Sequence, residues 1–273
     1  MEMFKHHKKR IGFAIVLIAG LSTILCWQLF DSPATYNRVF VSLDSGNIPF
    51  TEVEIQGHSY PLKLNLGSEF PLCLSKTILE QLKKKDAGKV RVATGSEVRS
   101  YRLKEVTIGK LTFKDVLAVE AMDESEVGVI GRPLLIKHNL LLDFRKSTLI
   151  MCNRFKDIER VGYGREDWVQ VPLTLGPGGV VLSIETDLGT TRFSLGTTTG
   201  KTLIKSLSTQ VEPPYLTTRT FRIGNDEFGS PKLYPYPITV DTSSEVDGIL
   251  GMDFLYRHLV YIDFENQCVY ITK

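Results

Sequence analysis

Apolar residues alternate with polar ones through most of the chain after residue 31, in short stretches separated by Gly, Ser and Asn. Val53 and Ile55 show this two-residue period, and so do Leu62, Leu64 and Leu66. Such alternation is typical of strands that bury one face, and the intervening residues are typical of turns. We therefore predict a body made mainly of β-strands.

Two segments, 75–85 and 201–207, have helical spacing instead. Their apolar residues fall on one helical face: Ile78, Leu79 and Leu82 in the first, and Leu203, Ile204 and Leu207 in the second. Each segment follows a strand-like stretch and a glycine turn, so each is predicted to be a short helix. The lysine run at 83–85 is interpreted as the solvated end of the first helix.

The second half of the body repeats the first. Residues 129–144 read VIGRPLLIKHNLLLDF, and residues 249–264 read ILGMDFLYRHLVYIDF. Upstream, LNLGS at 64–68 is matched with FSLGT at 193–197, and TILEQL at 77–82 with TLIKSL at 202–207. A repeat of this length indicates two copies of one supersecondary unit. We predict one lobe at 40–155 and a second at 165–273, with a polar connection at 153–166.

The duplicated unit resembles the pepsin and retropepsin superfamily of aspartic peptidases. VEIQGHSYPLKLNLGSEFPLCLS at 53–75 is similar to the hairpin and strand that deliver the family's Asp-Thr/Ser-Gly turn, and DGILGMDFL at 247–255 is similar to its apolar-apolar-Gly strand. The resemblance covers most of residues 40–273. It implies a mainly β, two-lobed aspartic-peptidase-like fold with a cleft between the lobes.

The resemblance also implies a flap over that cleft. Residues 89–103, with Thr94, Gly95 and Ser96 at the tip, would form the first-lobe hairpin that closes over a peptide. A generic surface hairpin is the alternative.

The matched turns lack the catalytic aspartates of this family. Asn65 stands at the first aspartate position and Ser194 at the second, and Leu66 and Leu195 replace the threonine or serine that follows. Aspartic peptidases need two close carboxylates whose pKa values are split by repulsion, whereas an amide and an alcohol do not titrate near neutrality. We predict no catalytic residues. The turns themselves persist and are predicted to bind the ligand: Leu66, Gly67, Ser68, Leu195, Gly196 and Thr197.

Other aspartates are alternative sources of a carboxylate pair. Asp44 begins an Asp-Ser-Gly sequence, but it precedes the hairpin that should introduce the motif and has no second-half equivalent, so a turn is favoured. Asp241 has Ser243 in the glycine position. Asp187 is the third candidate.

No cofactor and no metal is predicted. GTTTGKT at 196–202 falls one residue short of a phosphate-binding loop, because Leu195 stands where the first glycine belongs. His138 and His258 occupy equivalent repeat positions and are predicted to pack near short helices. The cysteines have no CxxC spacing, and Cys152 and Cys268 lie in the closing strands of the two halves. Those two either approach each other or are reduced core residues, while Cys73 is left alone.

The N-terminus predicts a membrane anchor. Residues 1–10 form a basic tail, and an uncharged apolar stretch begins at Ile11 and ends at Phe30. About twenty helical residues span a hydrocarbon core of roughly 30 Å. The positive-inside rule keeps the N-terminus in the cytoplasm and places the body in the periplasm or outside the cell. A cleaved signal peptide is the alternative.

Composition narrows the possible functions. The chain has 273 residues, 42% of them hydrophobic, and a formal net charge of +2, which fits a globular protein. The basic tail carries four cations and one carboxylate, so the remainder of the chain is slightly acidic and nucleic acid is not a predicted partner. Three functions remain open: a pseudo-peptidase that binds an extended peptide or an envelope protein, an active endopeptidase with displaced carboxylates, and a structural envelope protein.

Overall fold

The computed structural model describes residues 36–92, 95–122, 128–164, 167–176, 178–206, 214–237 and 246–273. Within these ranges no helix is both long enough and apolar enough to cross a membrane. The predicted basic tail and membrane helix at 1–30 lie outside the described residues, as do Thr94 of the predicted flap tip and Asp241.

The first lobe alternates short strands with two short helices and one 3-10 turn (Phe144–Lys146). The bounds are β1 (Tyr36–Phe40), β2 (Ser42–Leu43), β3 (Pro49–Ile55), β4 (His58–Asn65), β5 (Leu72–Leu74), α1 (Lys76–Gln81), β6 (Lys84–Arg91), β7 (Glu97–Ile108), β8 (Leu111–Glu120), β9 (Gly128–Gly131), α2 (Arg132–Leu135), β10 (Asn139–Asp143) and β11 (Thr148–Cys152).

The second lobe follows the same plan after a connecting helix. The bounds are α3 (Phe155–Glu159), β12 (Trp168–Pro172), β13 (Thr174–Gly176), β14 (Gly179–Thr186), β15 (Gly189–Leu195), β16 (Leu203–Ser206), β17 (Leu216–Thr217), β18 (Phe221–Ile223), β19 (Asp226–Glu227), β20 (Lys232–Pro237), β21 (Gly248–Leu250), α4 (Met252–Leu255), β22 (Val260–Asp263) and β23 (Cys268–Thr272). The predicted polar connection thus contains a helix, α3.

The strands of the described residues form three sheets. The first lobe has an eight-stranded sheet in the order β2-β3-β4-β9-β5-β8-β7-β6, and the second has a sheet in the order β17-β20-β16-β21-β15-β14-β18-β19, with β13 beside β14. A six-stranded sheet, β1-β11-β10-β22-β23-β12, takes three strands from each lobe. The mainly β body predicted from the alternating pattern and the two-lobed arrangement implied by the resemblance are both confirmed.

The lobes join where β10 pairs with β22. Leu140 lies opposite Ile262 and Leu142 opposite Val260, and all four side chains are buried. These strands are apolar on both faces, as expected of strands covered on both sides. Because the shared sheet continues one core from lobe to lobe, residues 36–273 form one compact unit.

The first of the two predicted helices is present, as α1, and the second, in its described part, is not. α1 begins after Ser75, whose Oγ accepts a hydrogen bond from the Ile78 N–H at 3.3 Å, a typical N-cap. It ends at Gln81, so Lys84 and Lys85 belong to strand β6 rather than to a helix end.

The second predicted helix is wrong, because its described part forms strand β16. This strand lies between β20 and β21 and pairs with both. Two neighbouring strands satisfy its backbone groups, and this tertiary pairing outweighs a weak local helical spacing.

The cysteines of the described residues form no disulfide with one another. Cys152 on β11 and Cys268 on β23 lie in the same sheet, but β10 and β22 separate them. Adjacent strands are about 4.8 Å apart, so three strand spacings exclude a disulfide between them. Burial raises the pKa of the Cys152 thiol to about 11, which keeps it protonated.

Candidate functional site

Two turns face each other at the ends of β4 and β15. In the first lobe β4 runs parallel to β9, with Asn65 opposite Gly131. In the second lobe β15 runs parallel to β21, with Leu195 opposite Leu250. Each turn therefore emerges beside an apolar-apolar-Gly strand, as the resemblance implied.

The strand register corrects the alignment of the two turns. Leu64 lies opposite Ile130 and Leu195 lies opposite Leu250, so these leucines are equivalent. The residue after each is Asn65 in the first lobe and Gly196 in the second. Gly196, and not Ser194, is therefore the structural counterpart of Asn65.

The hairpins before the turns support the same correction. Ile55 pairs with His58 in the first lobe and Thr186 with Gly189 in the second, so both hairpins have two-residue turns. Counting from these turns reaches Asn65 and Gly196 after the same number of residues. The Leu-Gly pairs at 66–67 and 195–196 had favoured an alignment displaced by two residues.

Asn65 is held by its own turn. The Gly67 N–H donates a hydrogen bond to Asn65 Oδ1 at 2.9 Å. Since the amide oxygen accepts this bond, the amide nitrogen, Nδ2, is left as the donor that faces other groups. Among the described residues, nothing accepts a hydrogen bond from Asn65 Nδ2, and the side chain is half-buried. The site thus presents an amide donor where the resemblance leads one to expect a carboxylate.

Gly196 leaves no room for a second side chain. A Cβ atom at this position would overlap Cγ2 of Ile249 and would lie 3.1 Å from Cγ2 of Thr199. Ile249 is β-branched and part of strand β21, so it cannot easily move away. The second half of a carboxylate pair is therefore missing both in sequence and in space.

Thr197 ties the two turns together. Its hydroxyl donates to the Leu64 carbonyl at 2.7 Å and accepts from the Leu66 N–H at 3.3 Å, across the lobe boundary. All three residues are almost completely buried. Leu66, the first-lobe equivalent of Thr197, has no hydroxyl with which to make the reciprocal bonds.

A further contact between the lobes involves Arg132, which sequence reasoning missed. Its guanidinium donates to the Gly176 carbonyl at 2.6 Å, joining the start of α2 to the β13–β14 turn. Burial lowers the pKa of Arg132, and the nearby Glu69 carboxylate partly offsets this.

Burial separates the predicted binding residues into two groups. The side chains of Leu66, Leu195 and Thr197 are each 1% exposed, so they support the turns and do not reach a ligand. Ser194 is also buried. Asn65, Gly67, Ser68 and Gly196 are half-buried and retain accessible surface at the turns, and Gly95 and Ser96 of the predicted flap tip are exposed.

The predicted flap segment is a hairpin of β6 and β7. The pairing continues out to Arg91 opposite Glu97, and the Val92 N–H donates to the Ser96 carbonyl at 2.9 Å. Gly95 has a φ of 84°, a left-handed conformation that favours glycine. β6 is an edge strand whose side chains are mostly exposed.

The other candidate carboxylates, those of Asp44 and Asp187, accept hydrogen bonds from backbone N–H groups. Asp44 Oδ1 accepts from the N–H groups of Gly46 at 2.8 Å and Ile48 at 2.9 Å, which is an Asx turn. Asp187 accepts from the N–H groups of Arg219 and Thr220, and these bonds lower its pKa. In the described part of the chain these carboxylates bind backbone and not each other.

The two repeated histidines pack beside short helices, as predicted. The ring of His258 lies 4.4 Å from that of Phe254, and its Nδ1 is 2.7 Å from the Thr272 carbonyl. Burial lowers the pKa of His258. His138 follows α2, with its N–H donating to the Leu135 carbonyl. No group of three metal-ligating side chains occurs among the described residues.

Comparison with known proteins identifies the fold. No family model matches the sequence, and no curated protein matches it. Solved structures do match. The aspartic proteinase from Irpex lacteus is 14% identical with a TM-score of 0.59, covering 87% of this chain and 97% of its own.

Two globulins match as well. Basic 7S globulin from soybean is 10% identical with a TM-score of 0.56, covering 88% of this chain and 95% of its own. Conglutin gamma, a basic 7S globulin from lupine seeds, is 11% identical with a TM-score of 0.54. The match covers 87% of this chain and 95% of conglutin gamma. The chain therefore has the aspartic-peptidase fold. A proteinase and two globulins share that fold, so activity depends on the site.

Proposed function

We propose that this protein is a membrane-anchored, catalytically inactive aspartic-peptidase-like protein that binds an extended peptide or a segment of an envelope protein between its lobes. The observation that carries the proposal is the pair of positions at the two turns, Asn65 and Gly196. The fold supplies the scaffold for the site, and these two residues decide its chemistry.

Inactivity follows from the chemistry of those positions. Activation of water in this fold requires one carboxylate to act as a base while the other donates a proton. The Asn65 amide does neither near neutral pH, and Gly196 has no side chain. The tight packing of Gly196 against Ile249 also excludes a carboxylate introduced there by a single substitution.

Two features favour peptide binding. Asn65 Nδ2 is a hydrogen-bond donor that no described group uses, and a peptide carbonyl is a suitable acceptor. Edge strand β6 carries backbone N–H and C=O groups that an extended chain can pair with, as in other cases of strand addition. A ligand bound by backbone pairing and one amide would be held without being cleaved.

The membrane part of the proposal rests on sequence. The uncharged stretch at 11–30 has the length of a bilayer-spanning helix, and the cations of residues 1–10 precede it. With this orientation, the body lies in the periplasm or outside the cell. A peptide or an envelope protein is the kind of partner available there.

The proposal is tested with the full chain incubated with a peptide library from acid to neutral pH. Mass spectrometry would score peptide integrity and peptide retention, with and without a transition-state inhibitor of aspartic peptidases. We expect a subset of peptides to be retained and every peptide to stay intact. Asn65→Ala should weaken retention, whereas Asn225→Ala, in an exposed turn of the second lobe, is the matched control and should not.

Asn65→Asp separates binding from catalysis. It restores one carboxylate but leaves Gly196 opposite, so we expect bound peptides to remain uncleaved. Inhibitor-sensitive cleavage by the unaltered chain would refute the proposal. Intact peptides with none retained would favour a structural role.

A further inference from the structure

A shallow groove on the first lobe concentrates positive charge. The groove has a volume of about 560 Å³ and is lined by side chains from β6, β7, β8 and the residue before β6. Its lining contains one carboxylate, Asp115, and six cations: Lys83, Lys84, Lys85, Arg102, Lys104 and Lys114. We call this surface the basic groove. It was not singled out from sequence, because its cations come from three separate strands.

Four of the six cations form no ion pair within the described residues: Lys83, Lys85, Lys104 and Lys114. Arg102 lies 3.5 Å from Asp115. Lys84 donates to the Leu79 carbonyl at the end of α1 and lies 5.2 Å from the centroid of the Tyr101 ring. Two more carboxylates lie on these strands: Glu105, opposite Lys114 in the β7–β8 register, and Asp86, which follows Lys85. Positive charge therefore exceeds negative charge by a wide margin.

The strand register makes this clustering of positive charge unfavourable when no anion is bound. Lys85 lies directly opposite Arg102 in the β6–β7 register, which places their Cβ atoms about 5 Å apart. Like charges in that position destabilise a sheet. The chain beyond the basic tail is slightly acidic, so the groove is a local concentration of charge and not part of a generally basic surface. A surface of this kind is complementary to a dense array of anions.

The groove lies on strands that lead back to the start of the body. The turn between β7 and β8 is bound to Asn37 of β1, which donates to the Ile108 carbonyl and accepts from the Lys110 N–H, both at 2.8 Å. Lys104 is four residues from Ile108, about 13 Å along β7. Five residues separate β1 from the predicted membrane segment, and an extended chain of that length spans at most about 18 Å.

We propose that the basic groove docks on the anionic phospholipid headgroups of the membrane in which this chain is anchored. The lysines supply point charges for phosphate groups, and the exposed carboxylates are too few to cancel them. Docking holds the first lobe, with its β6–β7 hairpin, against the membrane surface. The inference rests on the proposed membrane anchor but not on peptide binding.

The test measures lysine acetylation of the full chain reconstituted in vesicles, with the modified sites read by mass spectrometry. One vesicle is phosphatidylcholine alone, and the other is phosphatidylcholine mixed with phosphatidylglycerol. We expect acetylation of Lys83, Lys85, Lys104 and Lys114 to fall about fivefold in the anionic vesicles. Lys201 and Lys232, exposed on the second lobe, are internal controls and should be unchanged. At about 1 M salt, where charges are screened within about 3 Å, the protection should disappear.

The outcomes separate the possible failures. Equal acetylation in both vesicles overturns docking, and alkaline carbonate extraction of the same vesicles then shows whether the anchor failed as well. Equal protection of all exposed lysines, controls included, also overturns it, because the effect would not be local. A third arm adds soluble polyphosphate to the phosphatidylcholine vesicles. Protection there that matches the anionic vesicles would assign the groove to a soluble polyanion and overturn the lipid source.

Discussion

Gly196 shows how packing around a single residue leaves no room for a carboxylate at one of the two turns. Its φ is not in the left-handed region, so the glycine is not required by backbone conformation. It is required by space, since a Cβ atom would overlap Ile249 Cγ2. Asn65, on the other side, is accommodated and hydrogen-bonded by its own turn. The two positions therefore differ from a carboxylate pair in different ways: one holds an amide and the other has no space for a side chain.

Gly196→Ala is expected to destabilise the protein. The added methyl group overpacks against Ile249, which typically costs about 1–3 kcal/mol. Gly164→Ala is the matched control, because nothing lies within 4 Å of a Cβ there and its φ is also outside the left-handed region. Thermal unfolding of both variants, followed by near-UV circular dichroism, measures the difference. Equal stability of the two would show that Ile249 yields without cost.

At the scale of elements, the β6–β7 hairpin differs from the strands that join the lobes. Most β6 side chains are exposed, and the strand has a neighbour on one side only. Every side chain of β10 is buried, and β10 has neighbours on both sides. Elements with few buried apolar side chains open locally at low free-energy cost, whereas core strands open only with global unfolding.

Hydrogen exchange should therefore be orders of magnitude faster in β6 than in β10. Mass spectrometry of deuterium uptake in the full chain measures both strands in one experiment. If an extended peptide pairs with this edge, saturating peptide should slow exchange in β6 and leave β10 unchanged. Slow exchange of β6 in the free protein would contradict the expectation that the hairpin opens readily.

At the scale of the whole molecule, two kinds of contact hold the lobes in register. The first is the six-stranded sheet, in which β10 and β22 are paired and fully buried. The second is local to the turns, where Thr197 bonds to Leu64 and Leu66 and Arg132 bonds to the Gly176 carbonyl. The stability of the shared sheet comes from buried apolar area, whereas the stability of the contacts at the turns comes from a few buried polar groups. Removal of the Thr197 hydroxyl should therefore disturb the alignment of the two turns directly.

Thr197→Val should lower the free energy of unfolding by about 1–3 kcal/mol. Valine has the shape of threonine but leaves the buried Leu66 N–H and Leu64 carbonyl without the partner they share. Thr197→Ser retains the hydroxyl and loses only a methyl group, so it should lose less stability. Thermal unfolding of the three proteins compares them. A valine variant that is no less stable than the serine variant would show that these hydrogen bonds do not stabilise the joined turns.

The β body and the internal repeat could be predicted from sequence because they depend on recurring patterns, and the two-lobed fold because the repeated unit resembles a known family. Alternating positions such as Leu62 and Leu64 mark a buried strand face, and the repeated apolar-apolar-Gly segments at 129–131 and 249–251 mark equivalent elements. Local signals also predicted a helix beginning near Ser75 and the turn at Asp44. Each of these features leaves a pattern among residues that are close in sequence, so it can be identified without the folded structure.

Tertiary structure decided the features that depend on partners distant in sequence. Pairing with β20 and β21 made 203–206 a strand, although its spacing is helical. The register between β15 and β21 made Gly196 the counterpart of Asn65, because a slip of two residues in a strand keeps the same faces and leaves the apolar pattern unchanged. The basic groove likewise exists only because three strands bring their cations together. Periodicity identifies which residues are buried, but only the folded chain determines which residues lie opposite one another.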